Sequence, residues 1–260
     1  MKRRSFLKNS AVAAGAASLA IPVMGSTGAA PKAKSIFELR IYHISRASNA
    51  KNKLEQYIKD ALIPFLSKRN VKLCAFNDYS LEEPAKLYIL LAYPDQTAYF
   101  TAQAEMMTDE AYLKAADSYN KIAAADAVYT RYETFLMDAF DALPSLSVPA
   151  EKKGLFELRI YESANEDAGR RKILMFNSEE IALFLKVGLQ PVFFGKILAG
   201  EYMPALVYMI GFKDMAERDA NWSKFGSSDE WKKMSSKPEY ADTVSNIHKI
   251  FLTPTEYSQV

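Results

Sequence analysis

Cysteine is almost missing from this chain: Cys74 is the one thiol in 260 residues. No disulfide can form within it, so an ordinary apolar core has to hold the fold. Histidine is nearly as scarce. His43 and His248 are the two present, and neither has a partner ligand at the spacing of a zinc or calcium site. The glycines, ten in all, are scattered, which excludes a Gly-rich phosphate loop and a Gly-x-Ser-x-Gly nucleophile elbow. Tryptophan occurs at Trp222 and Trp231 alone, so the first half has none.

Residues 1–30 read as an export segment rather than as fold. MKRRSFLKNS is followed by the short, Ala-rich run Ala11–Gly25 and by small residues up to Ala30. A cationic start, a weakly apolar middle and a small-residue exit describe a cleavable signal. Arg3 and Arg4 with Ser5-Phe6-Leu7-Lys8 match the twin-arginine pattern, which places the protein in the periplasm or another extracytoplasmic space. The apolar run is too short for a membrane-spanning helix, so no span is expected after cleavage. Export also changes the charge. The segment holds Lys2, Arg3, Arg4 and Lys8 and no acid, so the formal +2 of the full chain becomes −2. A balanced surface gives no electrostatic reason to expect nucleic acid or an anionic membrane as partner. The basic run Arg170-Arg171-Lys172 reads as a solvated helix start.

What the chain does have is a repeat. FELRIY stands at Phe37–Tyr42 and again at Phe156–Tyr161, 119 positions later. At the same offset Leu87–Tyr93 aligns with Leu206–Phe212, and Asp95 with Asp214. Each Asp reads as a helix N-cap. Alternation predicts a strand over the hexapeptide, and helical spacing from Leu54 to Leu66 predicts a helix that Pro64 kinks. Strands follow near Val71–Tyr79 and Lys86–Tyr93, with a turn at Leu81–Pro84 between them. A helical region over Asp95–Ala123, broken near Thr108, and a strand over Val128–Met137 complete a β-α-β-β-α-β order. In the second half Asn177 and Glu180 suggest a capping box that restarts the helix. The expected organisation is therefore unit 1 over 35–140, a Pro-containing linker over 141–153 and unit 2 over 154–260. Each unit leaves one sheet face bare. Pressing those faces together gives an α+β fold of two tandem ferredoxin-like units closed into an intramolecular, pseudo-dimeric α+β barrel.

Parity then selects candidate residues. Phe37, Leu39 and Ile41 share one strand face, and Glu38, Arg40 and Tyr42 the other. Placing the apolar set under the helices sends Glu38, Arg40, Tyr42, Glu157, Arg159 and Tyr161 into the barrel. By the same parity His43 leaves the barrel. Two readings of the six polar residues stand: a self-neutralised lining that fixes how the halves meet, or a ligand site. In the second, arginine grips an anion, glutamate accepts a proton and tyrosine donates a hydrogen bond. Cys74, Trp222, Phe225 and Trp231 read as core.

The Glu-Leu-Arg-x-Tyr strand at Glu38–Tyr42 and Glu157–Tyr161, with Asp229-Glu230-Trp231 in a later helical segment, resembles the NIPSNAP family domain. The resemblance implies the dimeric α+β-barrel fold and little chemistry, since no catalytic residues are established for the family as a whole. No cofactor is expected from the residues. Members of the wider barrel group that hold haem through histidine would give that role to His248. Function stays between two classes: a small organic, anionic molecule bound in the barrel, or a non-catalytic module whose outer surface meets a protein partner. A higher oligomer is open under either.

Overall fold

The computed structural model describes residues 33–80 and 84–260. The segment expected to direct export and most of the Leu81–Pro84 turn lie outside them. The first half runs β1 (Ile36–Ile44), α1 (Ala50–Tyr57), α2 (Ile63–Ser67), β2 (Lys72–Asp78), β3 (Lys86–Tyr93), α3 (Gln96–Met106), α4 (Glu110–Ala115), α5 (Asp117–Asn120) and β4 (Tyr129–Ala139). The second runs β5 (Leu155–Glu162), α6 (Glu166–Met175), α7 (Ile181–Val187), β6 (Gln190–Ala199), β7 (Ala205–Phe212), α8 (Met215–Ser227), α9 (Asp229–Ser235) and β8 (Asn246–Pro254). These strands form one closed antiparallel barrel in the order β1-β3-β2-β8-β5-β7-β6-β4. Each half contributes four neighbouring strands, so the chain makes within itself the α+β barrel that a single-unit protein makes by dimerising.

Local chemistry explains most element ends. Asp95 and Asp214, in extended backbone, accept hydrogen bonds from the N–H groups of Ala98 and Glu217 and so cap α3 and α8. Asp109 caps α4 in the same way, after the break near Thr108. The Pro64 kink takes the form of a π turn. Helices α1 and α2 are one rod interrupted at Ile58–Leu62, where Ile63 N–H reaches back five residues to the Ile58 carbonyl. Proline is not the sole cause, because α6 and α7 carry the same widened turn at Phe176–Glu180 without one. The expected capping box at Asn177 is thereby corrected. Asn177 sits inside that turn, and its Oδ1 accepts from the Ala142 N–H in the linker, 3.0 Å away.

The interior of the barrel is apolar. Phe37, Leu39 and Ile41 of β1 pack with Phe156, Leu158 and Ile160 of β5 in one cluster that draws on both halves. Phe37 meets Phe193 at 5.2 Å and Phe76 meets Phe156 at 5.0 Å, both contacts crossing from one half to the other. Each such buried aromatic or aliphatic side chain is worth about 1.5–3 kcal/mol in area removed from water. Two further clusters lie under the helices. One joins Leu54, Ile58 and Leu62 to Ile89 and Leu91. The other joins Phe176, Phe184 and Phe225 to Leu206 and Ile210.

This arrangement reverses the expected direction of the hexapeptide. The two unlike faces exist, but the apolar one fills the barrel and the polar one lies beneath the helices. Tyr42 belongs to the first helix-side cluster and Tyr161 to the second. Both faces are buried, since every residue from Ile36 to Tyr42 is below a tenth exposed, so burial alone could not set the direction. The physical reason is satisfaction. A lumen lined from all sides by apolar side chains offers a carboxylate no donor, whereas the helix-covered face supplies them, from α8 to Glu157 and from β3 and β4 to Glu38.

The halves meet at two seams, β2 with β8 and β4 with β6. At the second, Gly195 lies so close to β4 that an added Cβ would stand 2.7 Å from the Met137 Cβ. Gly195→Val is expected to destabilise the chain by about 1–3 kcal/mol through overpacking. A lowered urea midpoint with an unchanged slope would report it.

Candidate functional site

The six residues singled out by parity form two separate networks, one per half. In the first, the Arg40 guanidinium donates to Glu38 through Nε (2.6 Å) and Nη2 (3.0 Å). Glu38 also accepts from the Tyr93 hydroxyl (3.1 Å) and the Thr134 hydroxyl (3.3 Å). Tyr42 packs against Tyr129 and Tyr132 at 5.1 and 5.0 Å. Burial raises its phenol above the ordinary range, against the pull of Arg40.

In the second, Glu157 accepts from Arg159 (2.7 Å), Arg218 (2.9 Å) and the Trp222 indole (2.8 Å). Arg159 lies 3.8 Å over the Trp222 ring and donates to the Tyr161 hydroxyl at 3.1 Å. Tyr161 in turn accepts from Tyr208. Burial would push the Glu157 carboxyl up, but hydrogen bonds from Arg218, the charge of Arg159 and the Trp222 indole outweigh it and hold the group below the usual range. These contacts run from sheet to helix, so they fix how α8 seats on its own sheet. Lys172 likewise departs from the solvated start expected for its run. It is buried and bonded to Glu180 at 2.7 Å, while Arg170 and Arg171 pair with Asp167. Cys74 is buried, and burial raises its thiol to about 12, which suits core rather than nucleophile.

The polar groups that do face the barrel stand at one open end. Interior parity runs from Ile41 to His43 on β1 and from Ile160 to Glu162 on β5, and these two strands finish at the same end of an antiparallel barrel. His43 therefore lines the mouth rather than leaving it. Its Nε2 lies 2.7 Å from Glu133 on β4, which also accepts from Arg131 at 3.3 Å. Across the mouth, Nε2 of His248 on β8 lies 2.5 Å from Glu162, and the bonds from His248 and Asn246 hold that carboxyl below its usual range.

The two pairs are exchanged copies of each other. Ile41 stands opposite Glu133 in the β1–β4 ladder, as Ile160 stands opposite His248 in the β5–β8 ladder. Where the first half has histidine on its opening strand and glutamate on its closing strand, the second has the reverse. Tyr202, in the connection between β6 and β7, bridges the opening. Its ring is 4.4 Å from His248 and 6.1 Å from Phe135 on the far side of the barrel. Tyr202 thus packs on the His248 ring while Glu162 engages its Nε2. No group of three or more metal-ligating side chains is assembled among the described residues.

Beside His43 the mouth opens into a cleft of about 530 Å³ lined by Asp78, Tyr79, Lys86, Tyr88, Lys249, Ile250 and Phe251. Its size falls within the ~300–1,000 Å³ of small-molecule pockets. Lys86 and Lys249 form no ion pair with a described residue. Sequence reasoning missed this set because it had the lumen inverted. The available signal was the offset itself, which sets His43 against Glu162 at the polar end of an otherwise apolar alternation.

Replacing Glu157 by Gln is expected to cost about 3–5 kcal/mol at neutral pH, because two guanidiniums lose a buried partner. Glu157 is more acidic folded than unfolded, so its stabilisation is complete above the unfolded carboxyl value of roughly 4.3 and is lost as pH falls through the lower folded value. Urea midpoints followed from pH 7 to 3 should thus fall less steeply in Glu157→Gln than in the parent chain.

Comparison with known proteins agrees with this architecture. Residues 156–259 match the family model of NIPSNAP. No curated protein matches the chain. Among solved structures, a candidate monooxygenase from Lactobacillus acidophilus is 11% identical, with 85% of this chain and 94% of that one covered at a TM-score of 0.56. A candidate monooxygenase from Fusobacterium nucleatum is 13% identical, with 85% and 93% covered at 0.56. A NIPSNAP-like domain protein from Burkholderia xenovorans is 19% identical and covers 42% of this chain and 92% of its own at 0.39. The two longer likenesses show the α+β-barrel fold, and the family match belongs to the second half of the chain.

Proposed function

We propose that this chain is an exported, tandem NIPSNAP-like barrel that binds a small organic anion in the cleft at its open end. The observation that carries the reading is the meeting of Lys86 and Lys249, which have no ion-pair partner among the described residues, with the aromatic and aliphatic walls of Tyr79, Tyr88, Ile250 and Phe251. Apolar walls bury the body of a ligand, and the ammonium groups fix its charged end. His43 borders the cleft with Nε2 held by Glu133, which leaves Nδ1 to exchange a proton with a bound phenol or acid. That is the arrangement of an oriented general base, and the proposal stops at binding and proton transfer. Outside the barrel, Glu157 holds α8 on its sheet through Arg218 and Trp222, whereas Glu38, Arg40 and Tyr42 tie β1 to β3 and β4.

Salicylate is a suitable probe, carrying an aromatic ring, one carboxylate and a phenol. Calorimetric titration should give saturable binding that Lys249→Met weakens about tenfold, the loss of one charge-assisted contact of roughly 1.5 kcal/mol. Equal affinity in the variant, or no saturable binding by the parent chain, would refute the site. Export is tested separately. With Arg3 and Arg4 both changed to Lys, cell fractionation should find the chain retained in the cytoplasm, and undiminished periplasmic delivery would remove the twin-arginine reading.

A further inference from the structure

A second cleft, of about 320 Å³, lies on the other side of the mouth between α6 and the β6–β7 connection. Its walls are Ile173 on α6, Ile197 on β6, Met203 and Pro204 in the connection, and Ala205 and Leu206 on β7. Polar groups stand at its rim: Ser163, Glu166, Arg170 and Lys196. Three of these are engaged or repulsive to an anion. The Ser163 hydroxyl donates to the Thr243 carbonyl, Arg170 places Nε and Nη2 on Asp167, and Glu166 is itself an acid. Lys196 is exposed and forms no ion pair with a described residue.

Gly169 is an independent sign that the space is kept open. It sits inside α6, where glycine weakens a helix relative to alanine. A Cβ there would meet Ser163 at 3.5 Å and Pro204 at 3.9 Å, which are ordinary contacts. Packing therefore does not demand glycine. The missing side chain instead widens the cleft floor.

We propose that this cleft is a second binding site, distinct from the one beside His43, for a compact amphipathic monocarboxylate whose tail enters between α6 and β7 and whose carboxylate meets Lys196. A volume of about 320 Å³ holds roughly ten methylene-sized groups, if each takes about the ~30 Å³ share of a liquid water. Octanoate has that size, and octan-1-ol is its uncharged counterpart.

Calorimetric titration of the full chain with both compounds tests the assignment. Octanoate should bind with one site per chain, and Lys196→Met should weaken it about tenfold while leaving octan-1-ol unchanged. Gly169→Leu, which adds a good helix former, should raise or hold the melting temperature and abolish binding of both compounds. Gly169→Ala provides the same reading with a smaller fill, as a partial loss. Lys249→Met should leave octanoate affinity as it is, so failure of the salicylate site and failure of this one are separable. Octanoate binding that survives Gly169→Leu, or that falls with Lys249→Met, or no saturable binding by the parent chain, would overturn the proposal.

Discussion

Closure of the barrel on an apolar interior is the constraint from which the other features follow. Once strands from both halves complete the ring, a side chain pointing inward meets other inward side chains and no backbone donor, because the ladder consumes the N–H groups. A charge there would go unpaired in a low-dielectric space at a cost of several kcal/mol. Phe37, Leu39, Ile41 and their repeat partners take those positions. The polar residues of the same strands have to turn outward, where donors answer them, from helix α8 in the second half and from neighbouring strands in the first. Polar groups regain the lumen only where the ring ends and water reaches it, which puts His43, Glu133, Glu162 and His248 at the mouth.

Much of this was readable from the amino acids. The 119-residue offset disclosed the duplication, the alternation disclosed strands with two unlike faces, and Asp95 and Asp214 disclosed helix starts through their capping chemistry. The direction of those faces was not readable. Amphipathic alternation distinguishes inside from outside when one side is wet, and both sides of β1 are dry. The tie could be broken only by asking which environment can pair a carboxylate, and the partners Arg218 and Trp222 lie 61 and 65 positions from Glu157. Lys172 was misplaced for a related reason. Its run of basic residues looks solvated, while its actual partner, Glu180, faces it across a π turn that no local signal announces.

The exchanged His–Glu pairs say something about what the duplicated fold conserves within itself. The two halves hold the pairing and not the positions, so the requirement at the mouth is a hydrogen-bonded acid and imidazole rather than either residue on a given strand. Exchange leaves each half with one of each, and the formal charge of the ring is the same on both sides. The cleft, by contrast, develops beside His43, whereas the ring of His248 is covered by Tyr202. Among the described residues, then, the β6–β7 connection caps His248 through Tyr202, and a cleft borders His43.

The buried carboxylates follow the same rule by different means. The offset relates Arg218 and Trp222 on α8 to Tyr99 and Gln103 on α3, neither of which donates to Glu38. It also relates Phe212 to Tyr93, and here the first half carries the hydroxyl that the second lacks. Tyr93 donates to Glu38 at 3.1 Å and accepts from Gln103 at 3.3 Å. A donor missing from the helix is therefore supplied from the neighbouring strand, with the helix glutamine acting at one remove. The second half surrounds its carboxylate with two guanidiniums and an indole, and the first uses one guanidinium, a phenol and a threonine hydroxyl. The physics fixes only that each buried carboxylate be saturated with donors. Which side chains donate is free to vary, and that freedom is why the hexapeptide is identical in the two halves while the residues that answer it are not.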